Sequence, residues 1–140
     1  MAARKILFIC VGNSCRSQMA EALARQIASD VIVPASAGLS PLGRIAEATR
    51  RVLLERGMTV DEQFSKGVND AGLFRPDLIV NMSGIPGKSL FANAKVEDWE
   101  IDDPYGEDLA THRRICDDIE ARVQELAVRL RSEDACSDAP

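Results

Sequence analysis

A short apolar segment that ends in a cysteine constrains the fold of this chain more than any other feature. Residues 5–9 (KILFI) predict a fully buried strand, and Cys10 follows them directly. Residues 12–14 (GNS) then break the strand, and apolar residues recur at helical spacing over 19–27. A buried strand that turns at once into a helix is typical of a parallel sheet covered by helices.

The rest of the chain repeats this alternation of strands and helices. Further strands are predicted at 31–33, where Pro34 stops the run, at 77–82 and at 96–99. Further helices are predicted at 43–56 and 109–130. The alternation indicates an α/β fold, in which ligands bind at the carboxyl ends of the parallel strands.

Length and composition narrow the range of functions. The 140 residues indicate one domain over 1–131, followed by a flexible polar tail over 132–140. The 17 Lys and Arg against 22 Asp and Glu leave a net charge of −5, which disfavours nucleic acid as a partner. No apolar run has the length of a membrane span, and the N-terminus lacks a signal-peptide cleavage site. We therefore expect a cytoplasmic protein with reduced cysteines, no membrane partner, no metal and no cofactor.

The segment between the first strand and the first helix contains the parts of an anion site. Its backbone N–H groups can curl around an anion, and the following helix adds its positive end. Arg16 can bind two oxygens of a tetrahedral oxyanion, while Cys10 points its sulfur at the centre of the anion. The same positive field favours a reactive thiolate, to which Ser17 can donate a hydrogen bond. The candidate binding residues are Val11, Gly12, Asn13, Ser14, Cys15, Arg16 and Ser17.

A second candidate group lies in the sequence DDPY at 102–105. Pro104 favours an extended conformation for Asp103, so that the carboxyl can project into the crevice at the strand ends. Cleavage of a phosphate ester requires a proton on the leaving oxygen, and Asp103 is the best candidate for that acid. We expect a turnover optimum on the acid side of neutrality.

Four segments of the sequence together resemble a known family. They are CVGNSCRSQMAE at 10–21, SAG at 36–38, DLIV at 77–80 and DPY at 103–105. They are similar to the low-molecular-weight protein tyrosine phosphatase superfamily, which also contains thioredoxin-coupled arsenate reductases. The resemblance implies a four-stranded parallel sheet with helices on both faces and a phosphate-binding loop after the first strand.

The resemblance also implies a role for individual residues. Cys10 resembles the nucleophile of the family, Arg16 the phosphate-binding arginine and Asp103 the general acid. Asn13 resembles the asparagine that shapes the loop, and Ser17 the hydroxyl that stabilises the thiolate. In place of a histidine that often binds the loop asparagine in the family, this chain has Gln63 or Ser65. Tyr105 matches an aromatic wall of the phosphatases.

Three functions remain open on this basis. The preferred one is hydrolysis of aryl phosphates, including protein phosphotyrosine, through a phosphocysteine. The first alternative is thiol-dependent reduction of arsenate at the same loop, and the second is an oxyanion-binding module without catalysis. The loop at 81–89 lacks the two resolving cysteines of the reductases, so the thiol must come from a donor or from Cys15, Cys116 or Cys136.

The sequence pattern of the last helix favours structural roles for two of its chemically active residues. Cys116 falls on the apolar side of the helix and is predicted to be a core residue. His112, the only histidine, is predicted to lie on the helix surface or on this apolar side rather than to take part in catalysis.

Overall fold

Four parallel strands form the central sheet of the protein. The computed structural model describes residues 3–71 and 74–137. The strands are β1 (Arg4–Cys10), β2 (Ile32–Gly38), β3 (Leu78–Asn81) and β4 (Val96–Asp98), in the order β2-β1-β3-β4. The α/β prediction with a four-stranded parallel sheet is confirmed. Because β1 pairs on both sides, its carboxyl end lies in the middle of the sheet edge where the candidate site is expected.

The helices cover the two faces of the sheet unequally. They are α1 (Arg16–Ile27), α2 (Glu47–Glu55), α3 (Gly87–Leu90) and α4 (Leu109–Ser137), with a short 3₁₀ turn at Val68–Ala71. The longer helices α1, α2 and α4 enclose the larger apolar core against one face of the sheet. The other face packs a smaller cluster under the 3₁₀ turn and the segment around α3. No helix in the described residues is both long and apolar enough to cross a membrane.

The second strand is longer than the sequence predicts, because Pro34 does not end it. Pro34 lies inside β2 and pairs with Ile6 of β1. A proline cannot donate a hydrogen bond, but β2 is an edge strand and has a neighbour on one side only. The strand therefore continues to Gly38 and brings its end to the level of Cys10.

The helix limits differ from the prediction at two further places. Gly43 has a positive φ of 83° and forms part of a turn, so α2 begins at Glu47 rather than at 43. At the other end of the chain, α4 continues through Ser137, beyond the predicted helix end at residue 130. Arg4 of β1 pairs with Glu133 and Asp134, and these contacts attach the extra turns to the sheet. Residues 138–140 lie outside the described residues.

Gly38 permits a close approach of two backbone segments. A Cβ atom at this position would lie 2.6 Å from the carbonyl oxygen of Val11 and 2.8 Å from the amide nitrogen of Asn13. Both atoms belong to the backbone of the loop after β1 and cannot move as a side chain would. The glycine therefore lets that loop lie directly against the end of β2.

We expect Gly38→Ala to lower the free energy of unfolding by about 2 kcal/mol or more, because the methyl group displaces the loop backbone. Urea denaturation measures this change. Gly67→Ala is the matched control, since a Cβ atom there makes only ordinary contacts of 3.4 Å with Asp70 and Pro41. Equal stabilities of the two variants would contradict the prediction.

Candidate active site

The loop that follows β1 wraps around the sulfur of Cys10. Asn13 adopts a positive φ of 48°, which gives the loop its sharp turn, and its side chain is fully buried. The loop then enters α1, whose first turn contains no acidic residue. The unpaired N–H groups of this first turn and the partial positive charge of the helix end therefore point towards the loop.

The sequence-predicted residues come together around a cavity of about 220 Å³. Eight of them line it, namely Cys10, Val11, Gly12, Ser14, Cys15, Arg16, Asp103 and Tyr105. Asn13 and Ser17 lie behind the cavity wall and are fully buried. Leu42 completes the rim and contacts the position of Gly12.

The sulfur of Cys10 has a hydrogen-bond partner, Ser17, behind the cavity wall. Its sulfur lies 2.9 Å from the hydroxyl oxygen of Ser17, and both residues are buried. The amide nitrogen of Asn13 donates to the same hydroxyl at 2.8 Å. Because that hydroxyl already accepts a hydrogen bond from Asn13, its own hydrogen is available to the sulfur.

The contacts of the Arg16 guanidinium involve its Nη1 and Nη2 atoms and leave its Nε atom without a partner among the described residues. Its Nη1 atom donates to the carbonyl oxygens of Met82 and Ile101, and its Nη2 atom lies 3.4 Å from Asp103. The Nε atom is buried and has no acceptor among the residues that the structure describes. A buried donor without an acceptor is costly, so an anion in the cavity would complete the hydrogen bonding of this guanidinium.

Asp103 and Tyr105 lie at the mouth of the cavity. One carboxylate oxygen of Asp103 accepts from the backbone N–H of Tyr105 at 3.0 Å, and the other faces Arg16. The side chain of Asp103 is half-exposed, and so is the ring of Tyr105. The carboxyl group can thus reach both the loop and solvent.

The loop asparagine is held by partners other than those suggested by the sequence. Gln63 contacts Gln18 instead of Asn13, and the hydroxyl of Ser65 donates to the carbonyl oxygen of Gly12. The side-chain oxygen of Asn13 accepts from Gln18 at 2.9 Å and from the backbone N–H of residue 66 at 2.8 Å. Gln18 is fully buried, and its position inside the loop motif was the signal that could have identified it.

The remaining cysteines have distinct surroundings. Burial raises the pKa of the Cys15 thiol, whose sulfur lies 3.9 Å from Nε2 of His112. His112 is itself buried on the inner side of α4, and its Nδ1 atom lies 2.9 Å from the carbonyl oxygen of Asp108. Cys116 is fully buried in the larger core, in agreement with the sequence prediction. The structure describes no side chain for Cys136.

A larger cavity of about 560 Å³ opens beside the site at the ends of β3 and β4. Its lining includes Asp98, Glu100 and Asp102 together with Trp99 and Ile101, but neither a cysteine nor an arginine. Volume alone would favour this cavity. The smaller cavity brings together a thiol, a guanidinium and a carboxyl group, so it is the candidate for the active site.

Sequence comparison now identifies the family of the chain. The model of the low molecular weight phosphotyrosine protein phosphatase family matches residues 5–135. The chain belongs to this family. Arsenate reductase 1 of Staphylococcus epidermidis is 33% identical over 133 residues, which are 93% of this chain and all of that protein. Glutaredoxin arsenate reductase of Synechocystis is 28% identical over 91% of this chain and 98% of that protein.

Solved structures from both branches of the family superpose on the chain. The YwlE arginine phosphatase of Geobacillus stearothermophilus gives a TM-score of 0.85 at 25% identity, over 98% of this chain and 99% of the other. An arsenate reductase in the phosphate-binding state gives a TM-score of 0.81 at 27% identity, over 91% and 98%. The family thus includes phosphatases and arsenate reductases with this fold.

The Cys116 thiol makes the stability of the protein sensitive to alkaline pH. Burial raises its pKa from 9.0 to about 11, so the unfolded chain loses this proton first as the pH rises. The folded state therefore loses up to roughly 2 kcal/mol of relative stability between pH 9 and 11. Urea denaturation at pH 8, 9, 10 and 11 should show a shallower decline for Cys116→Ala than for the parent chain. Parallel declines would contradict this assignment.

Proposed function

We propose that the chain hydrolyses phosphate monoesters of phenols, including phosphotyrosine in proteins, through a phosphocysteine intermediate. The observation that carries the proposal is the buried Nε of Arg16, which lacks an acceptor in the cavity that also contains the Cys10 sulfur. A phosphoryl group would supply that acceptor. The N–H groups of the loop and of the first turn of α1 would bind its other oxygens.

The first step transfers the phosphoryl group to sulfur. The Cys10 thiolate attacks phosphorus as the bond to the phenolic oxygen breaks, and protonated Asp103 gives its proton to that oxygen. The second step is hydrolysis: Asp103 accepts a proton from water, the water oxygen attacks phosphorus, and the sulfur leaves as a thiolate. The Ser17 hydroxyl stabilises the thiolate as nucleophile and as leaving group, because it donates to sulfur in both roles.

Asp103 and Arg16 are in contact at the cavity. The carboxylate of Asp103 lies 3.4 Å from the guanidinium of Arg16, so a phosphoryl group bound by Arg16 would lie beside the acid. Asp103 is therefore placed to give a proton to the leaving oxygen.

The mouth of the cavity suits an aromatic leaving group. Tyr105 and Leu42 are both about half-exposed on its rim, and Val11 adds a third apolar side chain. A phenyl ring entering between them would contact the face of Tyr105 and bury apolar surface. Aryl phosphates therefore fit this mouth better than small alkyl phosphates.

Arsenate reduction is the second candidate, and the 33% identity to an arsenate reductase over nearly the whole chain favours it. The Cys10 thiolate would bind arsenic(V) with loss of water. A second thiolate would then attack the Cys10 sulfur and break the S–As bond; the electron pair stays on arsenic as arsenite, and a disulfide forms. Cys116 is buried in the core, so this thiol would be an external donor, Cys15 or Cys136.

One assay separates these functions from each other and from a non-catalytic anion-binding module. We expect turnover of p-nitrophenyl phosphate by the parent chain and a loss of at least about a thousandfold in Cys10→Ser, which lacks the nucleophile. Parallel reactions contain phosphoarginine, or arsenate with thioredoxin, glutaredoxin or a small thiol. Arsenite release without ester hydrolysis would support the reductase instead. Anion binding without turnover of any substrate would support the binding module.

The acid role of Asp103 predicts a dependence on the leaving group. Asp103→Asn should lower kcat for phenyl phosphate by roughly a hundredfold, and less for p-nitrophenyl phosphate, whose leaving oxygen needs less protonation. In the parent chain, kcat should fall as the pH rises through neutrality, because the reactive form of Asp103 is protonated. Asp102→Asn is the matched control at the adjacent carboxylate. Equal losses for both esters, or a flat profile from pH 5 to 8, would remove Asp103 from this role.

A further inference from the structure

We propose that Arg25, a half-exposed residue in the last turn of α1, is a positioning residue for the Cys10 thiolate. It acts through a closed ring of hydrogen-bonded side chains that lies behind the loop at 11–16. The ring consists of Arg25, Gln63, Gln18, Asn13, Ser36 and Glu21. The inference shares with the proposed function only the assignment of Cys10 as the nucleophile.

The first branch of the ring fixes the orientation of two amide groups. The Nη1 atom of Arg25 donates to Oε1 of Gln63 at 2.7 Å, and a guanidinium can only donate. The nitrogen of Gln63 therefore faces Gln18, where it donates to Oε1 at 2.7 Å and to the backbone carbonyl oxygen at 3.2 Å. The nitrogen of Gln18 in turn faces the side-chain oxygen of Asn13 at 2.9 Å.

The second branch fixes the direction of a hydroxyl group. The Nη2 atom of Arg25 donates to one carboxylate oxygen of Glu21 at 2.7 Å. The hydroxyl of Ser36 lies 2.6 Å from the other oxygen, which can only accept, so the single hydroxyl hydrogen points at Glu21. The oxygen of Ser36 is then an acceptor for the side-chain nitrogen of Asn13 at 3.0 Å.

The two branches meet at Asn13 and influence the hydrogen bond between Ser17 and the Cys10 sulfur. The oxygen of Asn13 also accepts the backbone N–H of Lys66, and its nitrogen donates to both Ser36 and Ser17. Ser17 accepts from Asn13 through its oxygen and keeps its only hydrogen free to donate; since a thiolate can only accept, Ser17 is the donor to the ionised Cys10 sulfur. If the amides were reversed, the oxygen of Asn13 would compete for that hydrogen. Arg25 thus biases the buried ring towards the orientation that stabilises the thiolate.

Two substitutions at Gln63 test the direction of the ring separately from its packing. Gln63→Glu keeps the shape and the contact with Arg25 but offers Gln18 only an acceptor, which opposes the native direction. Gln63→Met removes the hydrogen bonds without opposing that direction. We expect alkylation of Cys10 by iodoacetamide at pH 7 to slow by about tenfold in Gln63→Glu and by at most about threefold in Gln63→Met.

Substitutions at Arg25 test the origin of the bias. Arg25→Met should slow alkylation of Cys10 at pH 7 by about threefold or more, and Arg25→Lys, which keeps a donor-only cation, should restore most of the rate. Arg131→Met is the control, because Arg131 also contacts two carboxylate oxygens, those of Asp30, and bonds no member of the ring in the described residues. All rates should converge near pH 10, where an ordinary thiol is ionised without help.

The outcomes separate this inference from the proposed function. Alkylation reports on the sulfur whether or not any ester is a substrate, so the absence of phosphatase activity leaves the test intact. For p-nitrophenyl phosphate, the same variants should lower kcat and leave KM within about twofold. A purely structural role predicts that the isosteric Gln63→Glu reacts faster than Gln63→Met, and that order would overturn the proposal. Unchanged alkylation in Arg25→Met would also overturn it, and if that variant fails to fold, a native alkylation rate in Gln63→Glu would do so alone.

Discussion

The buried guanidinium of Arg16 is the constraint on which the site depends. A positive charge taken out of water is costly unless it is paired or hydrogen-bonded. Two backbone carbonyls, from Met82 after β3 and Ile101 after β4, accept from one of its nitrogens and tie two loops of the sheet edge to the start of α1. Arg16 also lines the cavity beside Cys10. The same side chain therefore holds three segments together at the edge of that cavity.

The sheet supplies the rigid frame for this arrangement. β1 is central and its last residue is Cys10, so the sulfur emerges between strands that are fixed on both sides. Gly38 at the end of β2 allows the loop backbone to lie against that strand at a distance that any side chain would prevent. The larger core under α1, α2 and α4 then holds the helix whose positive end completes the anion site.

The polar side chains behind the loop form a buried hydrogen-bond network. Asn13, Ser17, Gln18 and Ser36 are all fully buried, and each finds hydrogen-bond partners within the same network. Burial makes each of these hydrogen bonds costly to lose and gives the network few alternative states. This explains how the positive φ of Asn13 is maintained beside the Cys10 sulfur, and how hydrogen bonds connect Arg25 to that sulfur.

The sequence by itself determined the elements whose signals are local: the apolar run of β1, the helical spacing of α1 and α4, and the loop that joins Cys10 to Arg16. Periodicity and turn residues depend on a few neighbouring positions, so these elements can be predicted without knowledge of the fold. The prediction from sequence that β2 ends at Pro34 was wrong. An edge strand tolerates proline, and only the order of the strands in the sheet shows that β2 is an edge strand. The predicted end of α4 was also too early, because Arg4 pairs with Glu133 and Asp134 across the fold. Only the tertiary structure decided which groups hold Asn13, since Gln18, Gln63 and Arg25 meet through folding, and hydrogen-bond direction is a property of their contacts rather than of their spacing.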